Sequence, residues 1–177
     1  MEMKITPATI TSFGVAKLFT ENTAAINSGS YSDDGNLFVT ASDDNSIRLY
    51  NCLTGQQQKM VFTKKYGSSS ICFTHSNTAV ITASKNDGWD NSVHYLSLHD
   101  NRYLRIFKGH TDPIYSLHMS PTTDGFLSAG RDKTTRLWDL RTNACQGICH
   151  TPAPSLAAYD AQGLVFAIAF ANTIKVM

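Results

Sequence analysis

Hydrophobic and polar positions alternate along much of this chain in short runs, separated by turns rich in glycine, aspartate and asparagine. One run begins at residue 26 and ends at the polar turn 32–36, and a second run covers residues 37–42. Alternation with a period of two, together with frequent β-branched residues, predicts strands. No stretch keeps the period of an amphipathic helix over a useful length, so the pattern predicts an all-β fold.

The same order of elements recurs four times. Each unit has an alternating run, a polar turn, a second run, a turn rich in Asp or Asn, and a third run. Equivalent positions, namely Tyr50, Leu96, Trp138 and Met177, indicate a period of about 40 residues, which is typical of a β-propeller. We therefore predict one propeller domain of about four blades over residues 1–177. The repeats are placed at about 22–55, 66–100, 109–141 and 151–177.

The third repeat carries the most specific pattern. Gly109-His110 precede its first run, and Trp138-Asp139 end its third run, which is the Gly-His to Trp-Asp signature of WD repeats. In repeats of that kind, a hydrogen-bonded tetrad braces each blade. Such a network is physically sound, because a buried imidazole must satisfy both nitrogens and a buried indole N–H needs an acceptor. The matching residues here are His110, Ser128, Asp132 and Trp138.

The other repeats keep the tetrad only in part. Repeat one has Thr40 and Asp44 at tetrad positions, but Tyr50 replaces the tryptophan and the histidine is absent. Repeat two has Thr82 and Asp90, and repeat four keeps almost nothing of the pattern. We therefore expect the third repeat to form the best-ordered blade.

Two constellations also suggest chemistry. Ser128, His110 and Asp132 are the residue types of a hydrolase triad, but the chain lacks a G-x-S-x-G elbow and all three lie at tetrad positions. The C-x₃-C-H spacing that begins at Cys145 fits no common zinc pattern, and the chain has no Gly-x-Gly phosphate loop. A bracing network is the favoured interpretation, and we predict no catalytic residue, no metal site and no cofactor.

Composition and charge narrow the possible functions. The chain has 177 residues, a net charge of +1 and 42% hydrophobic residues, so we expect a globular domain without direct nucleic-acid binding. The longest apolar run, residues 164–171, is far shorter than a membrane span. The four cysteines are scattered in a chain too large to need disulfides, which favours reduced thiols inside a cell.

Seven segments carry a closer resemblance, namely residues 13–19, 64–67, 95–101, 107–110, 132–141, 145–147 and 163–167. The run Tyr-Leu-Ser-Leu-His-Asp-Asn at 95–101 is the most specific of them. On these segments the chain resembles the small WD-repeat subunit of COMPASS-type histone lysine methyltransferase complexes, a family found also in transcription-termination and polyadenylation assemblies. The resemblance implies a nuclear, non-catalytic adaptor that docks methyltransferase subunits onto the phosphorylated tail of RNA polymerase II. The alternative is a WD adaptor of another class, either a ubiquitin-ligase substrate receptor or a cytoplasmic signalling scaffold.

The length of the chain leaves the closure of the ring open. The family resembles a seven-bladed ring, whereas about four blades are predicted here, and an open ring would expose sheet edges and apolar faces. Three explanations stay open. In the first the chain is a fragment or truncated product, and in the second residues 10–19 supply a closing outer strand to a four-bladed ring. In the third arrangement two chains exchange this strand in a homodimer, and sedimentation analysis separates these hypotheses.

Partners of propellers usually dock on the loops and strand ends around the rim. In WD-repeat proteins of the family that the chain resembles, partners contact the start of the first strand in each blade and the residue before the tetrad aspartate. The residues at these positions are Asn27, Asp43, Ser69, Trp89, Tyr115 and Arg131. Arg131 is the most suggestive chemically, because its planar fork suits a phosphate or a carboxylate, although a solvated turn residue is the alternative. Trp89 lies in a long polar turn, either as a surface anchor or folded back on its blade.

Overall fold

A computed structural model describes residues 5–85 and 91–177. The one helix in these ranges, α1 (Pro7–Thr11), is too short to cross a membrane. The strands are β1 (Ile26–Tyr31), β2 (Leu37–Ser42), β3 (Ser46–Asn51), β4 (Gln56–Phe62), β5 (Ile71–Phe73), β6 (Ala79–Ala83), β7 (Val93–Ser97), β8 (Arg102–Phe107), β9 (Ile114–Met119), β10 (Gly125–Gly130), β11 (Thr134–Asp139), β12 (Cys145–His150), β13 (Ser155–Tyr159), β14 (Phe166–Phe170) and β15 (Thr173–Val176).

Consecutive strands form four antiparallel sheets, each of which is one blade. Blades 1, 2 and 3 contain β1–β4, β5–β8 and β9–β12, and blade 4 contains the three strands β13–β15. The first strands of successive blades contact each other, β1 with β5, β5 with β9 and β9 with β13. This arrangement confirms the predicted all-β propeller fold with four blades.

The core consists of apolar layers between neighbouring blades. Successive side chains of a strand point to opposite faces of its sheet. Val80 therefore packs in the layer shared with blade 1, whereas the next residue, Ile81, packs in the layer shared with blade 3. In the same way Phe126 faces blade 2 and Leu127 faces blade 4. Both faces of the middle blades are covered, which is why β6 is buried along its whole length.

The two ends of the array are open. Ile26 and Tyr31 on blade 1, and Ile174 and Val176 on blade 4, are each more than half exposed. Among the described residues, no strand of blade 4 packs against blade 1 as extensively as neighbouring blades pack against each other.

The structure does not place the predicted closing strand at residues 10–19. Helix α1 covers the first part of this segment, and no strand is formed in the rest of it. The reason is that Phe19 packs on Tyr50 of blade 1, with ring centroids 4.6 Å apart, so the segment is anchored at the end of the array opposite to β15. Exchange of this segment between two chains stays a prediction.

Candidate functional site

Blade 3 contains a continuous chain of buried hydrogen bonds between side chains. His110 Nδ1 lies 2.8 Å from Asp132 Oδ2, and His110 Nε2 lies 2.7 Å from Ser128 Oγ. The indole Nε1 of Trp138 donates to the same Ser128 oxygen at 2.8 Å. The structure thus brings together the four residues that the sequence pattern assigns to the tetrad, from the loop before β9 and from β10, β11 and the turn between them.

The partners determine where the protons lie. Asp132 only accepts, so His110 carries its proton on Nδ1, and Nε2 accepts the hydroxyl proton of Ser128. Burial lowers the pKa of His110, which keeps the imidazole neutral. Burial alone would raise the pKa of Asp132, but His110 and the hydrogen bonds from Thr134 outweigh it, so the net shift is downward. The result is an ionised carboxylate beside a neutral imidazole, in which every polar atom has a partner.

The same three side chains cannot form an accessible hydrolase site in this arrangement. Ser128 is fully buried, and the side chains of His110 and Asp132 are 1% and 3% exposed. The hydroxyl of Ser128 is held between an imidazole and an indole, away from solvent. The network braces the blade by joining its inner and middle strands.

Blade 1 builds a related brace from residues that the sequence analysis missed. Asn22 takes the place of the histidine, and its Nδ2 lies 3.5 Å from Asp44 Oδ2. The backbone N–H of Thr23 donates to the same oxygen at 3.2 Å, as that of Thr111 does to Asp132 in blade 3. The available signal was spacing, because Asn22 precedes β1 by as many residues as His110 precedes β9. Thr40, the tetrad position on β2, is buried.

Blade 2 replaces the histidine with a serine. Ser68 forms a buried hydrogen bond with Thr82, which occupies the position of Ser128. Asp90, which the sequence pattern assigns to the tetrad here, lies outside the described residues, as does Trp89. A run of three serines before β5 was the only sequence signal for this substitution.

Three of the predicted docking positions, Asn27, Asp43 and Ser69, lie together on one face of the propeller. Asn27 Nδ2 donates to Asp43 Oδ1 at 2.5 Å and to the Ser68 carbonyl oxygen at 3.1 Å. Lys85 forms an ion pair with Asp43, and the bonds from Lys85 and Asn27 lower the pKa of that carboxyl group. Lys85 was not predicted, although it occupies the same turn position as Asp43 and Arg131. Ser69 is half-buried beside these residues, and its N–H donates to the Ala83 carbonyl oxygen at 3.0 Å.

Blade 3 presents its docking positions differently. Tyr115 lies at a bulge in β9 and is 52% exposed, and Arg131 is exposed in the turn between β10 and β11. The backbone N–H of Arg131 donates to the Pro113 carbonyl oxygen at 2.8 Å, which fixes the turn. Gly130 is required there, because a Cβ would come within 2.9 Å of the same oxygen. In the described part of the chain, the Arg131 guanidinium has no hydrogen bond or ion pair.

The repeat units match a known family. The pattern described as WD domain, G-beta repeat, matches residues 15–51 and 101–139. Each match begins ahead of the first strand of a blade, and the second match includes β8, the last strand of the preceding blade. Residues 15–19 therefore correspond to the end of β8, and Phe19 corresponds to Phe107. Phe107 packs on Trp138 with ring centroids 5.7 Å apart, as Phe19 packs on Tyr50.

Three curated proteins show how far the similarity extends. WD repeat-containing protein 82 of Drosophila melanogaster is 46% identical over 94% of this chain and 52% of its own length. The Set1 complex component swd2 of Schizosaccharomyces pombe is 44% identical over 80% of this chain and 39% of its own length. The COMPASS component SWD2 of Saccharomyces cerevisiae is 36% identical over 81% of this chain and 43% of its own length. The chain thus spans about half the length of these relatives, or somewhat less.

Proposed function

Because the chain is a WD-repeat β-propeller protein related to components of the Set1 and COMPASS complexes, we propose that it is a non-catalytic scaffold subunit of a histone lysine methyltransferase complex. Such a role places it in the nucleus, with protein partners. We include transcription-termination and polyadenylation complexes as candidate assemblies, since the family that the chain resembles is found in these as well. The similarity to swd2 over 80% of the chain is the observation that carries the proposal.

We further propose that the partner surface is the face that carries Asp43, Lys85 and Arg131. On blades 1 and 2, the polar groups of this face are engaged by each other, since Asp43 accepts from both Asn27 and Lys85. On blade 3, Tyr115 and Arg131 offer an exposed ring and an exposed guanidinium. Aromatic residues and arginines are both enriched at protein interfaces.

The chemistry of Arg131 favours an anionic peptide. A guanidinium presents several N–H donors in a plane and binds phosphate or carboxylate oxygens in pairs. A phosphorylated peptide, such as the phosphorylated tail of RNA polymerase II, supplies such oxygens on an extended chain, and Tyr115 offers an exposed ring on the same blade. We therefore propose this tail as the ligand of blade 3.

Replacement of Arg131 tests this assignment. Arg131→Ala removes one charge-assisted contact, so the affinity for a phosphorylated tail peptide is expected to fall about tenfold. The matched control is Arg141→Ala, because Arg141 is an exposed arginine in the turn between β11 and β12, at the opposite end of the blade. Isothermal titration with phosphorylated and unphosphorylated peptides, alongside melting curves, gives the measurement. An unchanged affinity in Arg131→Ala removes this residue from the site.

The complex itself is identified by affinity purification of the tagged chain followed by mass spectrometry. Recovery of methyltransferase and polymerase-associated subunits supports the proposal. Recovery of ubiquitin-ligase subunits, or of cytoplasmic signalling proteins alone, contradicts it and favours a WD adaptor of another class. Chains with Arg131→Ala, purified in parallel, show whether the polymerase contact depends on blade 3 while the methyltransferase contacts persist.

A further inference from the structure

Three turns of different blades meet on the face of the propeller opposite to the Arg131 turn. They connect β1 to β2, β5 to β6 and β9 to β10, and His75 lies at their centre in the blade 2 turn. Its Nδ1 is 2.6 Å from Asp33 Oδ2 in blade 1, and its Nε2 is 3.0 Å from the Thr123 carbonyl oxygen in blade 3. One side chain therefore bridges three blades.

The two partners of His75 impose a protonation state. A carboxylate and a backbone carbonyl are both acceptors, so each ring nitrogen must carry a proton to make both hydrogen bonds. Neutral imidazole has one N–H and can make only one of them. We infer that His75 is a pH-sensitive clamp, which holds blades 1, 2 and 3 together when it is protonated and releases one blade when it loses a proton.

The charges around His75 favour the protonated form. Asp33 and Asp34 lie in the blade 1 turn and Asp124 lies in the blade 3 turn, where Arg141 pairs with Asp124 at 3.8 Å. The hydrogen bond to Asp33 raises the pKa of His75 above its usual value of 6.5, against a smaller opposing effect of burial. Hydrogen bonds from Ser32 and Asn36 lower the pKa of Asp34 to about 2, so this carboxylate stays charged while His75 titrates.

The geometry also indicates which contact is lost. The tautomer protonated on Nδ1 keeps the bond to the charged Asp33, and Nε2 then presents a lone pair to the Thr123 carbonyl oxygen. That carbonyl cannot turn away easily, because Ser120 Oγ binds both the N–H and the hydroxyl group of Thr123, at 3.2 and 2.9 Å. Deprotonation therefore removes the contact from His75 to blade 3 and loosens the junction between blades 2 and 3 at this turn, although Arg105 still bonds Asn143 across that junction at 3.2 Å. Between blades 1 and 2, Asn77 still bonds Asp34 at 3.1 Å.

The sign of the pH effect follows from the raised pKa of His75. Above the folded-state pKa, the folded and unfolded chains both hold a neutral imidazole, so proton binding by His75 adds no stability. Below 6.5, the usual pKa of the unfolded chain, the stabilisation is fully present, and it is lost as the pH rises through the folded-state pKa. His75→Gln abolishes this dependence, because the glutamine amide does not titrate.

The test combines NMR titration with melting curves of the full chain. The imidazole of His75 is expected to titrate above 6.5 and to carry protons on both nitrogens below that midpoint, and Asp33→Asn is expected to lower the midpoint. Relative to His75→Gln, the wild-type chain should gain melting temperature at pH 5.5 and lose this advantage at pH 8.5. The control is His99→Gln, since the exposed imidazole of His99 pairs with its neighbour Asp100 at 2.7 Å, within blade 2. The bond from Lys59 of blade 1 goes to the His99 backbone carbonyl, which the substitution leaves in place.

Hydrogen exchange separates a clamp from an ordinary surface ion pair. Amide exchange is catalysed by base and therefore speeds up with pH in any chain. In the β9–β10 turn, the exchange rate should rise by more than this intrinsic increase above the His75 midpoint, and the additional rise should vanish in His75→Gln. A His75 midpoint at or below 6.5, or equal pH dependence in wild type and His75→Gln, overturns the inference. If His75→Gln does not fold, Asp33→Asn carries the same test, because an unshifted midpoint there is equally contradictory.

Discussion

Replacement of Trp138 is the most direct test of the bracing network in blade 3. Trp138 is 1% exposed, donates its indole N–H to Ser128 and packs against Phe107 and Phe126. Truncation of a buried tryptophan to alanine typically costs about 3–5 kcal/mol, because the apolar contacts are lost and a cavity remains. Folded domains have free energies of unfolding of about 5–15 kcal/mol, so Trp138→Ala removes a large share of the stability.

Two further variants separate the contribution of the Trp138 hydrogen bond from that of its packing and provide a surface control. Trp138→Phe keeps an aromatic ring and removes the N–H, so it isolates the hydrogen bond to Ser128, for which about 0.5–1.5 kcal/mol is expected, in addition to the loss of ring volume. Tyr115→Ala removes an aromatic side chain that is 52% exposed, and such surface changes usually stay within about 0.5 kcal/mol. The expected order of stability is wild type and Tyr115→Ala, then Trp138→Phe, then Trp138→Ala.

Urea unfolding followed by circular dichroism measures these differences. The midpoint should fall in the stated order while the slope of the free energy against urea concentration stays constant, which shows that the denatured state is unchanged. A Trp138→Ala midpoint equal to that of wild type would refute the reasoning, because it would mean that the ring and its hydrogen bond do not brace the blade.

Two other outcomes are expected from the same network. Ser128→Ala leaves the Trp138 N–H and His110 Nε2 buried without partners, which costs about 1–3 kcal/mol each and should lower the urea midpoint. A variant that stays as stable as wild type contradicts the assignment. If Ser128→Ala abolished a hydrolytic turnover while the chain stayed folded, the hydrolase role would be revived. Because burial lowers the pKa of His110, the folded chain binds its proton less readily than the unfolded chain, so the stability from this group is present above 6.5 and lost as the pH falls below it. The lowered pKa of Asp132 extends this loss to more acidic pH, below its usual value of 3.8. NMR titration of His110 checks this, and an imidazole that becomes protonated at or above pH 6.5 rules it out.

The sequence predicted the parts of the molecule that depend on local pattern. The period of the repeat, the alternation within strands and the Gly/Asp turns are properties of neighbouring residues, and they were enough to predict the all-β propeller. His110, Ser128, Asp132 and Trp138 could be assigned because all four residue types occur at the spacing of one repeat, so the network follows from the order of strands within a single blade.

Where one member of the network changed type, the pattern failed. Asn22 and Ser68 stand in for the histidine in blades 1 and 2. The spacing before β1 and the serines before β5 hint at these positions, but only the contacts with Asp44 and Thr82 assign the roles. The closing strand predicted at residues 10–19 failed for a different reason. The alternation of that segment is compatible with a strand, but pairing requires a sheet edge within reach, and Phe19 holds the segment on blade 1.

The sequence by itself thus determined the strands, their grouping into blades and the brace of blade 3, since these rest on contacts within one repeat. Only the tertiary structure decided what lies between blades. His75 meets Asp33 and Thr123 across 42 and 48 residues of chain, and Lys85 meets Asp43 across 42. No local pattern specifies such pairs, because they depend on how one blade is rotated against the next, and that rotation is set by the packing of the apolar layers between them.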